Sequence, residues 1–296
     1  DHTRLLEHRA PEPLAHVAGR ATDVEVVDDY PASVLTHARR QHRWARGDWQ
    51  ILFWLFPLVP TRQGLERNRL PVISRWKILD NLRRTLVAPA TLVALAGAWL
   101  VLPGAAWVWT ALILGTMAFP LYPLVLRFLA GPAPQQPLRV FWRLLVEDLK
   151  TAAAQVVLLV TFLAYHAYEM AHAIVLTLIR LIVTQRRLLE WETAAATAAR
   201  SAGLAVKGGL LLFVGEMAAS PLTALLLAVL VVGARPDALP VALPILALWL
   251  GAPLIAWWLS QPVRPARHRL GAEDRLLLHG IARKTWRFFD TFMGAA

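Results

Sequence analysis

The chain has no cysteine, so disulfides, thiolate nucleophiles and cysteine-held metal sites are all excluded, and the redox compartment stays open. Charge is sparse. Charged residues make up 17% of the chain, against about 25% in an ordinary soluble domain. Acidic residues are scarcer still: 20 Asp and Glu face 31 Lys and Arg, for a net charge of +11. There is no P-loop, no glycine-rich dinucleotide motif, no Ser-His-Asp pattern, no internal repeat and no cleavable signal pattern. What the sequence has in quantity is apolar surface, 57% hydrophobic residues including 13 Trp.

Several apolar runs reach membrane-spanning length. The expected fold class is therefore mainly α: a polytopic α-helical membrane protein with interfacial amphipathic helices. A basic chain could bind nucleic acid, but these arginines sit beside apolar runs, which fits the cytoplasmic excess of basic residues in membrane proteins. The expected partner is the lipid bilayer and not nucleic acid; the oligomeric state is left open. The chain begins at Asp1 rather than Met and reads as an internal fragment of a longer polypeptide.

Residues 1–31 are polar, and the alternating, valine-rich Asp23-Val24-Glu25-Val26-Val27-Asp28-Asp29 reads as a short strand, the last of a soluble α/β domain. A helix is expected over 32–55, ended by Pro57 and Pro60. Arg62, Arg67, Arg69, Arg75, Lys77, Arg83 and Arg84, with Trp76, Leu79 and Leu82 among them, predict a second interfacial helix ending near residue 84. The membrane block is expected over 85–260. Its spans are placed at 85–102, 105–126 (kinked by Pro120 and Pro123), 210–232 and 239–259, with Pro103-Gly104 and Gly233-Ala234-Arg235-Pro236-Asp237 as outer turns. Gln155, His166, Glu169 and His172 interrupt 151–184. Basic flanks on both sides then favour an interfacial or re-entrant hairpin there over a single span. Arg186, Arg187 and the polar run to Lys207 read as cytoplasmic, as do Arg264, Arg267 and Arg269, which puts both termini on the cytoplasmic side. Residues 261–296 form a last, amphipathic helix leading to a further domain.

One stretch concentrates chemistry: Arg39, Arg40, Arg43 and Arg46 interleaved with His42, Trp44, Asp48 and Trp49. Arg39, Arg43 and Arg46 are spaced four and three apart, so one helical face carries a guanidinium stripe. Guanidinium forks match phosphate oxygens, and an indole offers a flat surface for a sugar ring. The same pattern also describes a basic amphipathic helix lying on anionic lipid.

Arg43-Trp44, with Arg40 where Gln is usual, resembles the Gln-x-x-Arg-Trp motif that precedes the membrane helices of cellulose-synthase-type processive glycosyltransferases. The longer strings His42-Arg43-Trp44-Ala45-Arg46-Gly47-Asp48-Trp49-Gln50 and Ser74-Arg75-Trp76-Lys77-Ile78-Leu79-Asp80-Asn81-Leu82-Arg83-Arg84 look like cyclic β-1,2-glucan synthase. Arg186-Arg187-Leu188-Leu189-Glu190-Trp191 and Ala282-Arg283-Lys284-Thr285-Trp286-Arg287-Phe288-Phe289-Asp290-Thr291-Phe292 resemble the same family. The resemblance implies the C-terminal edge of a GT-A-like transferase domain followed by a membrane block in the bacterial inner membrane. The implied activity is glucosyl transfer from UDP-glucose into a growing β-1,2-glucan. It implies Arg43 at the donor diphosphate and Trp44 against the acceptor sugar, with Arg40 supporting either; Arg46 and Trp49 complete the candidate substrate-binding set.

The family's base lies in a His-Asp-Leu-Leu-Glu-Gly stretch. Here His8 and Glu12 align with it, but Arg9 stands where the Asp belongs. Glu12 and Asp48 are the carboxylates left as candidates, Asp48 reading first as a partner of the local arginines. The Mg²⁺ or Mn²⁺ that the family uses would be held by residues outside this chain, so these 296 residues alone are expected to be inactive. His166, Glu169 and His172 suggest metal-ligand spacing, but the two imidazoles lie roughly 240° apart around a helix and read better as a buried or water-facing polar cluster. Trp107, Trp109, Trp257 and Trp258 read as interfacial belts. Two other readings stay open, another processive polysaccharide synthase of the cellulose or hyaluronan type, and a non-enzymatic anchor or transporter subunit.

Overall fold

A computed structural model describes residues 33–61, 64–185, 209–261 and 271–292. The strand expected at Asp23, the candidate Glu12, the polar run from Arg186 to Lys207 and the arginines at 264, 267 and 269 lie outside those residues.

The first helix, α1 (Val34–Gln50), starts where the Ser33 side chain accepts the Thr36 backbone N–H at 3.2 Å. It ends five residues short of the expected 55. A 3-10 turn, Leu52–Leu55, tightens the chain, and Pro57 precedes an antiparallel hairpin of β1 (Leu58–Thr61) and β2 (Gly64–Arg67). The hairpin was not expected, because Pro60 argues against a strand. Pro60 is tolerated in a two-stranded ribbon, where every strand is an edge. Gly64 supplies the left-handed φ of 121° that the turn requires. Asn68 closes the excursion, its side-chain amide donating to the Trp54 and Phe56 carbonyls at 2.7 and 2.9 Å.

The expected break at residue 84 is absent. One helix, α2 (Val72–Leu100), carries both the basic stretch and the apolar run. Pro89 withholds its N–H from the Thr85 carbonyl, yet the helix runs on through it, and Arg83 and Arg84 both reach back to Asp80, at 2.8 and 2.5 Å. Only sixteen residues of α2 follow Arg84, about 24 Å of helix, short of the ~30 Å hydrocarbon core. A turn with Gly104 at φ 83° leads into α3 (Ala106–Met117). A 3-10 turn around Pro120 then bends the chain by 59° into α4 (Tyr122–Ala130), the expected proline kink.

Helices α5 (Leu138–Thr161) and α6 (Leu163–Leu178) meet at Phe162, and a π-helical end, Ile179–Thr184, extends α6. The hairpin expected within 151–184 is therefore not there. Phe162 donates to the Leu158 carbonyl and accepts from His166, so the backbone bonding runs on through a kink with no room for a reversal. Leu163–Thr184 is long and apolar enough to cross a membrane despite His166, Glu169 and His172.

Helix α7 (Gly209–Glu216) and α8 (Ala219–Ala234) are bent by 58°. Pro221 is the cause: it has no N–H for the Met217 carbonyl, and its ring crowds that carbonyl. A short turn at Pro236–Ala238 leads to α9 (Leu239–Leu259). Among the described residues, two helical stretches qualify as spans, Leu163–Thr184 and Pro236–Leu259, or four if each bent pair counts as one.

The main core joins α2, α5, α6, α8 and α9 around two fully buried tryptophans, Trp99 and Trp249, whose rings lie 5.9 Å apart. Their indole N–H groups are satisfied by Thr110 Oγ1 at 3.0 Å and the Val160 carbonyl at 2.8 Å. Pro253 denies the Trp249 carbonyl its helical donor, and buried Ser220 on α8 supplies the missing bond at 2.8 Å. The two expected outer turns share one end of the block. Arg235 donates to the Leu102 carbonyl at 2.6 Å and to the Gly104 carbonyl, closing the C-terminus of α2. Residues 261–296 form a separate unit whose helix, α10 (Ala272–Phe292), is exposed along nearly its whole length.

Candidate functional site

Helix α1 lies on the membrane block through its small residues. Ala45 is buried against Met170 and Ala173 of α6, and Leu35 and Ala38 pack with Tyr165, Phe213, Met217, Ala252 and Ala256. Small side chains let the two backbones approach closely. At its start, the Val34 N–H donates to Ser260 Oγ at the end of α9, 3.1 Å away.

The arginine stripe is split by this docking. Arg39 turns toward the block and pairs with Glu216 of α7 at 3.1 Å. Arg40 instead lies over the ring of Trp44, 4.5 Å from its centroid, and Trp44 is half exposed. Arg40, Arg43, Trp44 and Gly47 share one side of the helix, where an added Cβ at Gly47 would meet nothing within 4 Å. On that side Trp44 and Gly47 are exposed, and Arg40 and Arg43 are half-buried. Trp49, expected beside it, ties α1 to α2 by donating to Thr85 Oγ1 at 2.8 Å. Asp48 accepts from Asn81 of α2 at 3.3 Å; burial raises its carboxyl above the ordinary range, while Asn81 and Arg84 pull it back. Arg46 stands on the half-buried flank next to His42.

The inner side of α1 meets a polar face of α6, a juxtaposition that neither helix's sequence reveals alone. His42 Nε2 and His172 Nδ1 share a hydrogen bond of 3.0 Å, and their rings stack at 5.2 Å. Tyr168 stacks on the other side of His172 at 5.9 Å. Burial first, then His172 and Arg46, hold the His42 imidazole down to about 4. Burial and Arg40 lower His37 as well. So His172, flagged by its spacing, serves a helix–helix contact. Among the described residues no three His, Asp or Glu gather to hold a metal ion, so the residues seen here do not fit the divalent cation that the resemblance implies.

Fold and site together define a mainly α-helical membrane protein with a basic, tryptophan-bearing helix docked on its membrane block. No family model matches the chain. It is 34% identical over 280 residues to cyclic beta-(1,2)-glucan synthase NdvB of Rhizobium meliloti (strain 1021). That match takes in 93% of this chain and 9% of that protein, so the chain spans only a small part of the curated relative's length. The resemblance read from the strings around Arg43 and Asp80 thus extends along almost the whole chain.

Proposed function

We propose that this chain is the membrane block of a glucosyltransferase that builds cyclic β-1,2-glucan from UDP-glucose, with the outward side of α1 as one wall of the transfer site. The observation that carries the reading is the Arg40–Trp44 pair with its exposed indole, on a helix docked to a membrane block, in a chain similar to a glucan synthase. A diphosphate leaving group gains negative charge as the glycosidic bond forms, and fixed guanidinium groups at Arg43 and Arg40 would stabilise it. Trp44 would stack the acceptor sugar and hold its hydroxyl in line for attack. Trp49 and Asp48 bond to α2 and would support the helix, while Arg46 stays a candidate contact to the substrate.

The base and the Mg²⁺ or Mn²⁺ belong to residues elsewhere in the protein, Glu12 being the candidate at the N-terminal end. The site would face the cytoplasm at a bacterial inner membrane. The test is incorporation of radiolabelled UDP-glucose into glucan by membranes carrying the complete coding sequence in which this chain lies. Arg43→Ala and Trp44→Ala should each depress synthesis with the protein still present at normal level; unchanged synthesis in both sinks the site. These residues alone, reconstituted in lipid, should release no UDP.

A further inference from the structure

Helix α10 has a face that nothing in its own unit covers. At about 100° per residue, Leu277, Leu278, Ile281, Phe288 and Phe289 fall within one arc of the helix, and all five are exposed. Lys284 borders that arc on one edge and Arg275 on the other, while Arg283 and Arg287 stand on the opposite crest with Leu276; Trp286 also lies off the arc, and Asp274 and Thr285 lie within it. From Arg275 to Arg287 there is no acidic residue. The acids Glu273 and Asp274 sit in the first turn, where a helix favours them.

We propose that α10 lies along an anionic bilayer surface, with its Leu–Ile–Phe face in the boundary between headgroups and acyl chains. Three observations favour this occupant. Basic side chains at both edges of an apolar face can keep their stems on the hydrocarbon and their charges among anionic headgroups. The helix begins about a dozen residues after Leu259, the end of a candidate span, so the chain itself keeps it near a bilayer. A second copy of α10 is a poor fit: a coiled-coil seam through Leu277 and Ile281 would carry Asp274, Lys284 and Thr291 at further core positions.

The absence of native cysteine gives a clean experiment. In the full chain, reconstituted into nanodiscs, single Ile281→Cys, Phe288→Cys and His279→Cys variants are labelled with an environment-sensitive fluorophore. His279 lies on the polar side. With phosphatidylglycerol present, lipid-attached quenchers should quench the labels at 281 and 288 and spare the label at 279. Pure phosphatidylcholine, or Arg275→Gln with Lys284→Gln, should weaken that quenching roughly tenfold in apparent partition. Quenching that ignores lipid charge, or that is equal on both faces, overturns the proposal. So does shielding from aqueous iodide without lipid quenching, which would mean that a protein surface covers the face.

Discussion

Two stretches of this chain have nearly the same composition and opposite arrangements. Helix α1 and the first turns of α2 are both arginine-rich, both carry an exposed tryptophan (Trp44 and Trp76), and both adjoin the membrane block. In α2 the two adjacent arginines, Arg83 and Arg84, close on a carboxylate of their own helix, Asp80, and their charge is spent locally. In α1 the carboxylate partner of Arg39 comes from α7, Asp48 turns to Asn81, and Arg40 leans on an indole face. Similar compositions thus give ion pairing within one helix and ion pairing between helices in the other.

The sharpest way to break this comparison is to remove each tryptophan. Trp44→Ala should lower glucan synthesis about tenfold, the equivalent of one stacking contact, whereas Trp76→Ala should change it less than about twofold; equal losses would erase the distinction. Next in size is the seat of α1. Ala45→Leu drives a larger side chain between α1 and α6 and should cost about 1–3 kcal/mol in unfolding experiments, while Val72→Leu on the exposed start of α2 should be neutral.

A smaller effect concerns acid. His42 is held near 4 in the folded protein against an ordinary 6.5. The unfolded chain therefore binds the proton first, and stability should fall as pH drops from 6.5 toward 4. The groups acting on it are His172 on α6, itself stacked on Tyr168, and Arg46 on α1. Asp48 acts the other way, since its raised carboxyl regains a proton on acidification. Replacing His42 by Gln should flatten the slope of the melting temperature over that window; an unchanged slope would assign it to other groups. Smallest of all, Asp80→Asn should leave the melting temperature where it is, because exposed ion pairs contribute little.

Much of this was legible in the sequence. The apolar runs at 105–126, 210–232 and 239–259 are helical, Pro120 marks a bend, and the strings around Arg43 and Asp80 pointed to the relative the chain matches. What was not legible depends on partners distant along the chain. His42 and His172 are 130 residues apart, and no local period announces their contact. Trp99 and Trp249 read like the other tryptophans, yet they are the centre of the core. The break placed at residue 84 followed a change in polarity, but α2 runs on through it, even though Pro89 withholds its N–H from the Thr85 carbonyl. The hairpin after α1 was hidden by Pro60, whose usual exclusion from sheets does not apply to a ribbon with no central strand.

The bond from Ser220 to the carbonyl that Pro253 strands has a mechanical consequence. A helix whose internal bonding is complete can slide or rotate on its neighbour at the cost of packing alone. Here α9 depends on α8 for a backbone bond deep in an apolar interior, where a lone carbonyl costs about 1–3 kcal/mol. Sliding α8 along α9 would break that bond, so the two helices are held in register at this level.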